Sequence, residues 1–113
     1  MIVEYKTNKL KKQCESPKEA QRAYGARIGN KLTQRVNEFV AAPNLLDIKH
    51  NKPARLHRLK GDRSDEYAVD LVHPFRLVFK PIVEYNISIN NLECIEIVRI
   101  EEVEDYHGKQ KRQ

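Results

Sequence analysis

The sequence predicts an α+β fold, with N-terminal helices packed on one face of a twisted antiparallel β-sheet. Three observations carry that expectation. Apolar residues recur at helical spacing only in the first half of the chain, the period drops to two from Ala54 onward, and the alternating runs are separated by polar, turn-forming stretches. With 113 residues, 40% apolar and 33% charged, the chain is expected to fold as one domain spanning 1–113, with 107–113 as a tail.

The elements follow in order. IVEY, Ile2 to Tyr5, predicts a short first strand. SPKE, Ser16 to Glu19, supplies an N-cap hydroxyl, a proline at the first helical position and a carboxylate placed to close a capping box. One long helix is expected from there. Ala20, Tyr24, Ile28, Leu32, Val36, Phe39 and Val40 form its apolar stripe, while Gly25 and Gly29 weaken it and allow close packing. AAPN at Ala41 to Asn44 ends it, and LLDI makes one further helical turn.

ARLHRL, EYAVDLV and FRLVFK then read as three consecutive strands, joined by KGDRSD and by a turn at His73 and Pro74. A two-residue loop would set Leu71 against Arg76 and Asp70 against Leu77, mixing polar and apolar groups on both faces. A three-residue loop ending at Phe75 avoids this. Tyr67, Val69, Leu71, Leu77 and Phe79 then face the helices, and Ala68, Asp70, Val72, Arg76, Val78 and Lys80 share the open face. Leu56 belongs with the core, so Arg55 and His57 join Arg76 on the open face. PIVEYNISINN is a long polar connection, and LECIEIVRIEEV is a central last strand whose broken alternation predicts a bulge.

Several classes are excluded at this level. No segment is long and apolar enough to span a bilayer, and the first thirteen residues lack the apolar core of a signal peptide, so a cytoplasmic location is expected. Cys14 and Cys94 form no CxxC and read as reduced, partly buried thiols. A net charge of +5 is moderate, but RLHRLKGDR gathers Arg55, Arg58, Lys60 and Arg63 around His57 and a single acid. Such a run is either a solvated basic face or an electrostatic footprint for phosphate.

The chemistry-bearing residues suit the footprint, although a solvated basic face is the commoner outcome and position alone favours a mere surface histidine at His57. His57, Lys60 and Arg76 on one face, with VEDYH delivering Asp105, Tyr106 and His107 at the exit of the last strand, are the ingredients for cleaving RNA without a metal or other cofactor. The nucleophile would be the substrate's own 2′-hydroxyl, so the protein must move protons and stabilise charge on phosphorus. Histidine suits the first task and the arginine fork the second. Plainer readings stand beside these: Arg76 as a cross-strand partner of Asp70, Asp105 as a strand terminator, and Tyr106 packed under the terminus instead of stacked on a base. His50 and His73 read as structural turn residues, and Arg58 and Arg63 as part of a general basic rim.

LHRLKGDR, the strand Tyr67 to Leu71, PFRLVF and EDYH together resemble the HigB-type toxins of type II toxin–antitoxin systems, in the RelE/ParE superfamily. The alignment runs from Leu56 to Phe79 without gaps, while the N-terminal helices agree only in layout. The resemblance implies a RelE/ParE-like fold and a toxin that cuts mRNA on the translating ribosome, held in check by a helix-turn-helix antitoxin of the HigA type. It carries His57, Asp105, Tyr106 and His107 over to the catalytic group, with Arg76 and Lys60 contacting phosphate and Arg55, Arg58 and Arg63 as RNA-binding neighbours. Two departures stand out: Ala68 replaces a frequent serine, and the connection from Pro81 to Glu93 is longer than in compact members. The alternatives are a ParE-like gyrase inhibitor, which needs no terminal proton-transfer group, the antitoxin itself, which should be helical throughout, and a relative that binds RNA or a partner without cutting.

Overall fold

A computed structural model describes residues 1–106. Three helices, α1 (Asn8–Glu15), α2 (Pro17–Ala41) and α3 (Leu45–His50), lie against a sheet of five strands: β1 (Ile2–Tyr5), β2 (His57–Arg58), β3 (Tyr67–Asp70), β4 (Phe75–Pro81) and β5 (Ile97–Asp105). The expected α+β architecture is present, but the sheet is mixed. Its order is β1-β5-β4-β3-β2, and β1 pairs parallel to β5 while every other pair is antiparallel. The helices carry the chain from one edge of the sheet to the other, so the first strand can run alongside the last in the same direction.

Ser16 caps α2 as the sequence predicts, its hydroxyl accepting from the Glu19 N–H at 3.2 Å. The single long helix does not form. Gly25 takes φ 85° and ψ 163°, and the two arms of α2 fold back on each other so that Gln21 Nε2 reaches Asn30 Oδ1 at 2.9 Å. Gly29 seats the crossing: a Cβ there would lie 2.7 Å from backbone atoms of Ala20 and Gln21. Because backbone on the opposing arm has little room to retreat, Gly29→Ala should cost about 1–3 kcal/mol, read as a lowered urea midpoint at unchanged m-value. An unchanged midpoint would mean that the two arms separate freely.

The core fills the space between the α2 stripe and one sheet face. Ala20, Leu32, Val36 and Phe39 meet Val69, Leu77, Phe79, Val98 and Ile100, all buried, and Phe39 packs edge-on to Phe79 at 4.9 Å. The exception in the stripe is Val40, which is exposed. Arg35, on the same helix, is buried and donates to the carbonyls of Asp70 (2.8 Å) and Pro53 (3.1 Å) and to Glu38. It fastens the helical layer to the segment that carries Arg55.

The face partition of β3 and β4 is the expected one, with a shifted register. Asp70 pairs with Arg76, Val69 with Leu77 and Tyr67 with Phe79. Leu71 N–H also donates to Phe75 O, so the three-residue loop is Val72–Pro74 and Phe75 already belongs to β4. A shift of two residues preserves every side chain's face, which is why alternation alone could not detect it. The predicted bulge falls in β5: Val78 pairs with Glu102 but Phe79 with Ile100, leaving Glu101 as the extra residue.

Cys14 is buried and Cys94 exposed, both free thiols. Burial, and then the neighbouring Glu15 carboxylate, push the Cys14 thiol up to about 12. Iodoacetamide at neutral pH should therefore label one thiol in the native protein and two after unfolding, as counted by mass spectrometry. Two native adducts would contradict the packing of α1. No helix among the described residues is long and apolar enough to cross a membrane.

Candidate nucleic-acid interface

The sheet face turned away from the helices is not bare. The stretch after β2, including a 3₁₀ turn at Gly61–Arg63, folds back across it, burying Leu59 against Ala68 and Val78. Charged clasps hold it there. Asp65 meets Lys80 at 3.4 Å, and Arg63 meets Glu66 (2.6 Å), Glu102 (3.0 Å) and Glu104 (2.7 Å). Partial burial opposes the charge on Arg63, but the hydrogen bonds it donates to Glu104 and Glu66 outweigh it and hold the guanidinium firmly protonated. Arg63 is thus a structural pin, and it also lines the cleft on this face.

Between this strap, β2 and the β3–β4 loop lies a cleft of about 720 Å³. Arg55, His57, Arg58, Lys60 and Arg76 line it together with Tyr106, and Asp70 is the acid in the lining. Arg55 adopts the left-handed conformation (φ 48°) and grips Asp70 in a bidentate pair, with Nε–Oδ2 2.7 Å and Nη2–Oδ1 3.0 Å. That pair raises the Arg55 pKa. Asp70 therefore serves Arg55, although Arg76 is its register partner. Arg58 donates to the uncharged acceptors Ser64 O and Asn90 Oδ1, and Lys60 is exposed. Neither makes an ion pair among the described residues, so their charge is uncompensated.

Arg76 is the most constrained basic group. Its Nε donates to Glu104, which is buried and also receives Arg63, and its guanidinium lies over the Tyr106 ring at 4.3 Å. With Nε and one face committed, the terminal nitrogens are the part of Arg76 that could meet a ligand in the cleft. Tyr106 is anchored through its N–H to Pro74 O at 3.0 Å. His57 approaches Arg55 O through Nδ1 at 2.8 Å. A carbonyl can only accept, so Nδ1 carries the proton in the neutral ring and Nε2 is left as the base.

The sequence-selected residues are only partly brought together. His57, Arg55, Arg58, Lys60, Arg63, Arg76 and Tyr106 share the cleft. Asp105 does not line it: it stands opposite Phe75, and strand alternation turns it to the other face from Glu104 and Arg76. His107 lies outside the described residues. Two participants were not selected from the sequence. His73, read as a structural turn residue, lines the cleft, and Glu104 holds both arginines. Among the described residues no group of three or more His, Cys, Asp or Glu is placed to hold a metal ion.

No protein-family model matches the sequence, and no curated protein matches it. Among solved structures, the chain is similar to a YoeB/ParE toxin from Agrobacterium tumefaciens, at 14% identity over 93% of this chain and 94% of that one, with a TM-score of 0.48.

Proposed function

We propose that the chain is the toxin of a type II toxin–antitoxin pair, a ribosome-dependent endoribonuclease that cleaves mRNA by attack of a 2′-oxygen on the adjacent phosphorus. The observation that carries the reading is the convergence of His57, Arg76, Lys60 and Tyr106 on one basic cleft, in agreement with the HigB-like motif run from Leu56 to Phe79. In this mechanism His57 Nε2 accepts the 2′-hydroxyl proton as the O2′–P bond forms. The terminal nitrogens of Arg76 take two phosphate oxygens, and Lys60 adds charge at the cleft mouth. The P–O5′ bond breaks, leaving a 2′,3′-cyclic phosphate and a 5′-hydroxyl whose proton comes from a second acid. His107 holds that role by resemblance to the family, and His73 is the histidine on the cleft wall that competes for it. The exposed portion of Tyr106 offers a stacking surface to a base unstacked at the scissile step. A helix-turn-helix antitoxin is the expected partner, and no cofactor is required.

Induction in a bacterial cell should arrest growth within minutes, with mRNA cut inside translated regions and fragment ends bearing the cyclic phosphate. Growth arrest with intact mRNA and gyrase-linked DNA breaks would assign the ParE-like activity instead. His73→Gln and His107→Gln, compared on purified translating ribosomes, identify the acid: the variant that loses cleavage, regained with a substrate carrying an activated 5′-leaving group, held the proton.

A further inference from the structure

The strand that carries His57 is entered through a strained residue. Among the described residues Arg55 is the one non-glycine with positive φ, at 48°, a conformation that an L side chain seldom takes. Its N–H donates to Lys52 O at 2.9 Å, closing the 3₁₀ turn Lys52–Ala54, and its carbonyl receives His57 Nδ1 at 2.8 Å. Relaxation of Arg55 into the ordinary strand region would swing that carbonyl away from the ring. A free imidazole in water carries its proton mainly on Nε2, and a carbonyl set against Nδ1 reverses the preference. The basic nitrogen that His57 presents to the cleft thus depends on the backbone of Arg55.

Asp70 holds that backbone in place. The register that sets His57 opposite Ala68, extended by two residues, brings Arg55 opposite Asp70, and the guanidinium takes both carboxylate oxygens at 2.7 and 3.0 Å. Asp70 is fixed in turn, because buried Arg35 donates to its carbonyl at 2.8 Å and to Pro53 O, two residues before Arg55, at 3.1 Å. Between those anchors Ala54 is fully buried. Arg76, the partner of Asp70 on β4, does not compete for the carboxylate, since its Nε is committed to Glu104. The side chains of Arg55 and Asp70 are 63% and 35% exposed, so the pair contributes little to stability. A two-point fork does fix direction.

We propose that Asp70 is a positioning residue for His57, acting through Arg55: its grip on the guanidinium keeps the Arg55 carbonyl against Nδ1 and leaves Nε2 as the base. The kinetic consequence rests on the cleavage reading, but the tautomer does not. The full chain, carrying isotope-labelled histidine, is read by long-range proton–nitrogen NMR correlation at about pH 9, where an ordinary imidazole is neutral. His57 of the parent should show the Nδ1–H form. In Asp70→Asn and in Arg55→Ala the share of that form should fall by about half or more. Arg55→Gly, which takes positive φ without a clamp, should keep more of it than Arg55→Ala. On translating ribosomes Asp70→Asn should lose about tenfold in kcat without a rise in KM, part of the roughly 10²–10⁴ that a placed base contributes, while the urea midpoint stays close to the parent's. An unchanged tautomer in both Asp70→Asn and Arg55→Ala would overturn the proposal whatever the cleavage rate, and so would a lost tautomer with kcat retained. A chain that shows the tautomer change but cuts no mRNA would defeat the cleavage reading and leave the hold of Asp70 on His57 standing.

Discussion

His57→Gln should lower the rate of mRNA cleavage on translating ribosomes by about 10²–10⁴-fold while leaving the fold intact. The ring is half-buried at the cleft wall, and its contact with protein is the bond from Nδ1 to Arg55 O, which a glutamine amide can also donate. What glutamine cannot supply is a basic nitrogen at the Nε2 position. The loss should therefore appear in kcat, with RNA binding retained. Arg76→Lys provides the contrasting pattern. It keeps the charge but loses the fork, weakening both the phosphate contact and the stacking on Tyr106. If His57→Gln cleaves at the parent rate, the base lies elsewhere and the cleft is an RNA-binding surface only.

Local signals and long-range pairings differed in how far the sequence disclosed them. Ser16 and Pro17 announce the start of α2 because a cap and a pre-set φ act within one turn. The faces of β3 and β4 are readable because a single buried aspartate or arginine would penalise the wrong parity. α1 escaped notice: of its eight residues only Leu10 and Cys14 are buried, and its best signal was Thr7, whose hydroxyl accepts from the Leu10 N–H at 3.1 Å. The fold-back at Gly25 was hidden because a glycine inside an apolar stripe is compatible with a continuous helix. KGDRSD reads as a solvated turn, since the partners that draw Arg63 across the sheet, Glu102 and Glu104, lie 39 and 41 positions along the chain. The bulge at Glu101 and the register with Arg76, neither legible in VEDYH, decide that Glu104 is the carboxylate paired with Arg76.

Glu104→Ala should destabilise the protein by about 3 kcal/mol and disable the cleft together. The side chain of Glu104 is 2% exposed and accepts from two guanidinium groups, so its removal strands Arg63 and Arg76 in partly buried surroundings. Water can reach their outer nitrogens, which keeps the cost toward the lower end for a broken buried pair. A protein of this size is usually stable by about 5–15 kcal/mol, so the variant should remain folded at 25 °C and its urea curve should be measurable. Arg76 would lose its Nε anchor and could then leave the Tyr106 ring, so RNA affinity should fall while His57 is untouched. Glu104→Gln separates the two effects. It keeps the volume and one acceptor oxygen, hence most of the packing, but discards the charge that holds two cations side by side. A double-mutant cycle with Arg63→Met should give a coupling of more than about 1 kcal/mol, because the two groups touch directly. A coupling near zero would mean that Glu66 and Glu102 suffice to pin Arg63, and that Glu104 serves Arg76 alone.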